Sequence, residues 1–252
     1  MTHLILFAGG LAAGLFSSLL GIGGGFILVP VLFFVKVAPP IAGATSVAFT
    51  ATVAALASIH YCKTGKISKN SAVQVLSGAL AGGLLGVITV YFIKDSGLLK
   101  KIMESGFILL AFIMAIRMIM DLWYNAKQKN INTHVAIKGI FIGLIVGFIS
   151  VVLGVGGGFA YVPTFLYIYG LPSQIAVGTS LTVIAIANSL ASIGNLFINH
   201  TLLFSYYLFA VAGAVLGIKI STRIKVSAWL RKTLFLAILL FIFVENIVNL
   251  LF

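Results

Sequence analysis

Apolar residues run along this chain in long blocks at about 4–20, 41–61, 72–93, 98–121, 136–153, 174–197, 203–221 and 230–251, parted by short polar gaps. Two shorter blocks lie at 26–36 and 159–170. A helix that crosses a bilayer takes about 20 mainly apolar residues. The long blocks have that length. The short ones reach only about half of a 30 Å hydrocarbon layer at about 1.5 Å per residue. The pattern predicts an all-α membrane protein in which a glycine cluster joins each short block to the long block before it.

The two short blocks belong to a repeat. Gly21-Ile22-Gly23-Gly24-Gly25-Phe26-Ile27-Leu28-Val29-Pro30 matches Gly154-Val155-Gly156-Gly157-Gly158-Phe159-Ala160-Tyr161-Val162-Pro163 at seven of ten positions. Gly10 and Gly14 answer Gly143 and Gly147, and Pro39 answers Pro172. After a one-residue shift, Ile41-Ala42 answers Ile175-Ala176, and Thr45-Ser46 answers Thr179-Ser180. Further on, Gly82 and Gly86 answer Gly213 and Gly217. The chain therefore divides into two homologous halves, 1–122 and 135–252, joined by a polar linker at 123–134. Each half is expected to hold one re-entrant hairpin, turned at the glycines, and three transmembrane helices.

Composition agrees with the pattern. Of the 252 residues, 61% are hydrophobic and 8% charged, against about 25% charged in a soluble domain. The net charge is +12. In a soluble protein that excess would suggest nucleic acid. Here the Lys and Arg residues fall in the gaps between apolar blocks, with no basic stripe interleaved with aromatics, so nucleic acid is rejected as a partner. Cys62 stands alone, which rules out a disulfide framework, and is read as a small apolar filler.

Charge position bears on topology. If each glycine segment crosses the membrane once, the two sides receive 7 and 9 of the 16 Lys and Arg. If each segment returns to its own side, they receive 12 and 4. Only the second arrangement obeys the rule that basic residues stay on the cytoplasmic side. It places the linker in the cytoplasm and both termini outside. Each half then makes three net crossings, so the halves are inverted relative to each other, a recurrent plan among transporters.

Consecutive glycines weaken a helix by about 1 kcal/mol each relative to alanine. Backbone unwound there cannot face lipid and must be buried or line a cavity. A helix restarting at Phe26 and at Phe159 presents free N–H groups and the positive end of its dipole, an anion site without a charged side chain. The candidate cradle is Gly23, Gly24, Gly25 and Phe26 with Gly156, Gly157, Gly158 and Phe159. The other paired glycines, at 10/14, 82/86, 143/147 and 213/217, are read as close helix packing. A phosphate loop is excluded, since no Gly-x-x-x-x-Gly-Lys-Ser/Thr sequence occurs.

Polar residues inside the spans complete the candidate set. Thr45, Ser46, Thr179 and Ser180 either donate to a bound oxyanion or bond back to their own helix. Asn188 and Asn195 share one helix face and need partners, which substrate, water or a neighbouring helix would supply. Ser17, Ser18 and Ser150 line the approach to the glycines. His60 is read as interfacial, and Glu245 as reaching water near the outer end of the last span. No metal-ligand spacing and no Ser/His/Asp set is evident, so neither an enzyme nor a cofactor is expected.

On the duplicated Gly-x-Gly-Gly-Gly-x-x-x-x-Pro pattern at Gly21–Pro30 and Gly154–Pro163, the chain resembles the TauE/SafE family of sulfite exporters and related carriers. Its size, Pro39 and Pro172, and the Thr-Ser pairs fit as well. The resemblance covers nearly the whole chain. It implies a multi-pass carrier of small anions, often sulfite or organosulfonates. The expectation is a carrier in the cell membrane that works by alternating access. The alternatives are an anion channel and a non-transporting membrane scaffold or partner subunit. Nothing in the sequence fixes the coupling ion, the direction of transport or the oligomeric state.

Overall fold

The computed structural model describes residues 1–95, 97–123, 135–199, 203–223 and 233. The linker residues 124–134 and the last expected span, 230–251 with Glu245, lie outside the described residues apart from residue 233. Among the described residues the regular structure is helical: α1 (Thr2–Leu20), α2 (Gly25–Phe34), α3 (Pro39–Lys63), α4 (Lys69–Ile93), α5 (Leu98–Trp123), α6 (Val135–Leu153), α7 (Gly158–Pro163), α8 (Ser173–Asn199) and α9 (Phe204–Arg223). A π-helical stretch at Thr164–Ile168 continues α7 beyond Pro163. Helices α1, α3, α4, α6, α8 and α9 are long and apolar enough to cross a membrane. Helix α2, with 10 residues, spans about half that distance.

Local chemistry sets the boundaries. Gly21 ends α1 in the left-handed conformation (φ 76°), and its N–H donates to the Ser17 carbonyl. Pro39 and Pro40 open α3, where their fixed φ suits a first turn that needs no N–H. Helices α2 and α7 begin at Gly25 and Gly158, one residue before the expected Phe26 and Phe159. The reason is that the last glycine of each cluster has no positive φ, whereas the ones before it do. Cys62 departs from its expected role: it is exposed at the end of α3.

Small residues decide which helices meet. Along α1, Gly10 and Gly14 lie against the backbone of Ala210 and Ala214 in α9, and Gly213 and Gly217 lie against Phe7 and Leu11 in return. The same contact recurs between α4 and α6, where Gly78 and Gly82 meet Ile140 and Leu144, and Gly143 and Gly147 meet Val75 and Ala79. A Cβ at any of these positions would strike backbone, so the glycine pairs are packing devices, as expected. Each pairing joins a helix before a glycine turn to a helix of the other repeat.

Helices α3 and α8 form the centre and are mostly buried. They run antiparallel: Gly43 and Ala44 share a cleft with Asn195 at one end, and Tyr61 touches Gly178 at the other. The outer helices carry large exposed apolar side chains, among them Phe92, Phe112, Phe141 and Phe204. Exposed apolar surface on this scale suits lipid and would be a liability in water.

Candidate functional site

The two glycine turns have one backbone design. Gly21, Gly23 and Gly24 have φ of 76°, 87° and 84°, and Gly154, Gly156 and Gly157 have 72°, 94° and 75°. Side chains disfavour this left-handed region, and glycine enters it freely. Gly25 and Gly158 serve a different purpose. A Cβ on Gly25 would stand 2.8 Å from the carbonyl oxygens of both Gly154 and Val155, and one on Gly158 would stand 2.5 Å from Gly21 O and from Ile22 Cα. The turns are therefore in contact, each closing on the other's backbone. All eight glycines are buried.

Helices α3 and α8 hold the turns from either side. The Ser46 hydroxyl donates to the Gly154 carbonyl at 2.6 Å, and the Ser180 hydroxyl donates to the Gly21 carbonyl at 2.9 Å. Both bonds are buried and tie one repeat to the other. A second reciprocal pair lies further out. The Leu203 N–H donates to Thr45 Oγ1 at 3.3 Å, and the Ser68 N–H donates to Thr179 Oγ1 at 3.0 Å. Thr179 passes its own proton to the Ile175 carbonyl. Each threonine thus accepts a backbone N–H beside the start of α9 or α4. In this conformation the protons of Ser46, Ser180 and Thr179 are already donated to carbonyls.

Other hydroxyls and an amide are not. Ser17 Oγ, Thr50 Oγ1 and Asn188 Nδ2 are buried with no hydrogen-bond partner. Orphaned buried donors are rare in native proteins, because each costs about 1–3 kcal/mol. Thr50 is fully buried and sits where the turns cross: its side chain adjoins Gly23, Gly25 and Gly156. Asn188 receives a long bond from Ser150 at 3.4 Å through its oxygen, leaving its NH₂ end unused. The equivalent of Asn188 in the first repeat is Ala54. Ser17, the equivalent of Ser150, accordingly has no matching amide.

Of the candidate residues, Gly23, Gly24, Gly25, Gly156, Gly157, Gly158, Ser46 and Ser180 come together at the crossing of the turns. Thr45 and Thr179 lie one residue before the two serines and face the loops beyond. The Phe26 ring is buried against Phe107 of α5, centroids 4.9 Å apart, so the first turn of α2 offers its backbone rather than this side chain. Phe159 is buried too. His60 is exposed near the end of α3, in keeping with an interfacial place. Sequence reasoning missed Thr50. Its position one turn after Ser46, on the same face, was the available signal.

The setting is neutral. The buried polar side chains among the described residues are Ser, Thr and Asn. Such groups bind through hydrogen bonds and backbone dipoles rather than ion pairs.

A profile of the sulfite exporter TauE/SafE family matches residues 6–245. The chain is 26% identical over 253 residues to the probable membrane transporter protein YunE of Bacillus subtilis, covering 89% of both chains. It is 30% identical over 195 residues to the probable membrane transporter protein MJ0441 of Methanocaldococcus jannaschii, covering 74% of this chain and 68% of that one. A probable membrane transporter protein of Xylella fastidiosa is 26% identical over 239 residues, covering 90% and 88%. No solved structure matches. With helices fit to span a bilayer, a duplicated glycine turn and a match across nearly its whole length, this chain is a multi-pass membrane transporter of the TauE/SafE family.

Proposed function

We propose that the protein carries a small anion, sulfite or an organosulfur anion, across the cell membrane by alternating access, with the crossing of the two glycine turns as its binding site. One observation carries this reading. Thr50 holds a fully buried hydroxyl without a partner at the point where both turns meet. A bound oxyanion would take that proton. The N–H groups of Gly24 and Gly25, and of Gly157 and Gly158, would supply further donors as the turns part. Ser46 and Ser180 would release their carbonyl bonds to join them, and the NH₂ of Asn188 lies one turn beyond Ile184 on the same helix face.

Charge balance supports an anion of low charge. Neutral donors offset the desolvation of one negative charge far better than of two, because the cost of burying an ion rises steeply with its charge.

The reciprocal bonds support a two-sided motion. Each turn is gripped by a helix of the other repeat, so rocking one repeat against the other breaks one set of grips and leaves the opposite set. An inverted pair of repeats, with the linker cytoplasmic and both termini outside, would make the two end states equivalent. The antiparallel course of α3 and α8 is what such an inversion needs.

Flux into liposomes tests the reading. Purified protein should exchange labelled sulfite for unlabelled sulfite across the membrane, and Thr50→Val should depress that exchange. A protein that moves neither sulfite nor sulfonates would sink it, while current without exchange would mark a channel.

A further inference from the structure

A narrow cleft opens at the end of the molecule where α3 begins and α4 and α8 end. Its polar lining side chains are Lys94 and Asn195; the rest are apolar or glycine. Gly43, Val151 and Val152 are among its lining, and Gly43 also lies against the second turn. A Cβ on Gly154, in the second glycine turn, would stand 2.9 Å from Gly43 Cα. Only the bare backbone of Gly43 parts the cleft from the turn there.

The first turn has a different neighbour at the corresponding position. The residue equivalent to Gly43 in the second repeat is Val177, and it lies against Gly21 as Gly43 lies against Gly154. A branched side chain therefore stands at the first turn where the second has none. Beside Gly43 lies Met103 of α5: a Cβ on Gly43 would stand 3.2 Å from its methyl carbon. Methionine is unbranched and readily changes rotamer, so it covers the gap without sealing it.

Lys94 supplies the charge. Its ammonium lies 4.9 Å from the centroid of the Tyr91 ring, at the edge of the cleft. Asp95, next in the chain, is exposed and not part of the cleft wall. On α5, Lys100 pairs with Glu104 at 3.8 Å, so these two charges offset each other. A cation above apolar walls focuses an attractive potential on anions.

We infer that this cleft is the route by which the anion reaches the glycine turns: Lys94 captures it at the mouth, and the missing side chain at Gly43, covered by Met103, lets a small anion pass to the second turn. The inference rests on the anion-carrier reading above but is tested apart from it.

The first arm of the test reads the cleft without transport. With the exposed Cys62 replaced by serine, Val152→Cys places a thiol in the cleft lining. Thiosulfonate reagents of similar size, one anionic and one cationic, then label it in intact liposomes. The anionic reagent should react about tenfold faster, and Lys94→Gln should remove that preference. Equal rates in both backgrounds, or no labelling while an exposed control cysteine at Ala38, at the same end of the molecule, reacts, would overturn the route. The second arm is sulfite flux. Lys94→Gln should raise KM about fivefold at low ionic strength and leave kcat in place, with the difference fading as salt rises. An unchanged KM overturns capture by Lys94. Wild-type protein that carries no anion, with charge-selective labelling intact, would defeat the carrier reading and spare the cleft.

Discussion

The two glycine turns share a backbone and differ in their neighbours. Both adopt the same left-handed pattern, both are gripped by a serine from the other repeat, and both press on the opposite turn. Around them the side chains diverge. Thr50 of α3 corresponds to Ile184 of α8, Ala54 to Asn188, and Gly43 to Val177. The backbone frame is thus duplicated, while the side chains beside it and their hydrogen-bonding capacity are not. A symmetric frame lets the protein rock between equivalent ends. Unequal side chains give a substrate one preferred way to lie in the site.

The comparison can be broken hardest at the turns themselves. Gly24→Leu and Gly157→Leu each force a side chain into a left-handed backbone, which costs about 1–2 kcal/mol before any clash. Sulfite flux should fall to background in both while the proteins still insert and remain monodisperse on size-exclusion chromatography. Gly157→Leu should lower thermal stability more, because its Cβ would stand 2.7 Å from Tyr161, whereas that of Gly24 would stand 3.2 Å from Phe49. Equal melting temperatures would show that the turns tolerate volume alike.

Thr50→Val and Ile184→Thr sharpen the difference between the repeats. Both keep a β-branched side chain. Removing the Thr50 hydroxyl should raise the KM for sulfite about tenfold, the worth of one hydrogen bond of about 1.4 kcal/mol. It should not lower the melting temperature, since the hydroxyl has no partner to lose. Ile184→Thr should change KM less. If the two variants behave the same way, the asymmetry has no bearing on binding.

Ser46→Ala and Ser180→Ala probe the shared frame. Each removes a buried bond to a carbonyl of the other repeat, so each should lower stability by about 1–2 kcal/mol in thermal unfolding. The losses should be nearly equal. The smallest effect is expected from Ala54→Asn, which restores the counterpart of Asn188 beside Ser17. A melting temperature unchanged or raised by a few degrees would fit a new bond to the Ser17 hydroxyl; a large drop would mean that no space exists there.

Much of the site was legible in the chain. The apolar blocks announced the spans, and the repeated Gly-Gly-Gly at 23–25 and 156–158 located both turns. Ser46 and Ser180 stood out through recurrence, but their bonds did not: each proton goes to a carbonyl more than a hundred residues away. Thr50 escaped notice because its counterpart, Ile184, carries no hydroxyl, so it did not stand out as a repeated polar position. For Thr45 and Thr179 the sequence leaves open a bound oxyanion or a bond back to their own helix; in this conformation both accept backbone N–H groups of the other repeat, and Thr179 also bonds back to Ile175.

The sequence by itself determined that the chain lives in lipid, where its helices start and stop, and which backbone positions must be glycine. These properties are local: hydropathy over about 20 residues, prolines that open a helix, and φ angles that a side chain resists. Only the tertiary structure decided that the two turns touch, that helices pair across the repeats, and that a cleft lies against the second turn at Gly43. Those outcomes depend on which distant surfaces can approach closely, and the shapes that allow it exist only once the helices are packed.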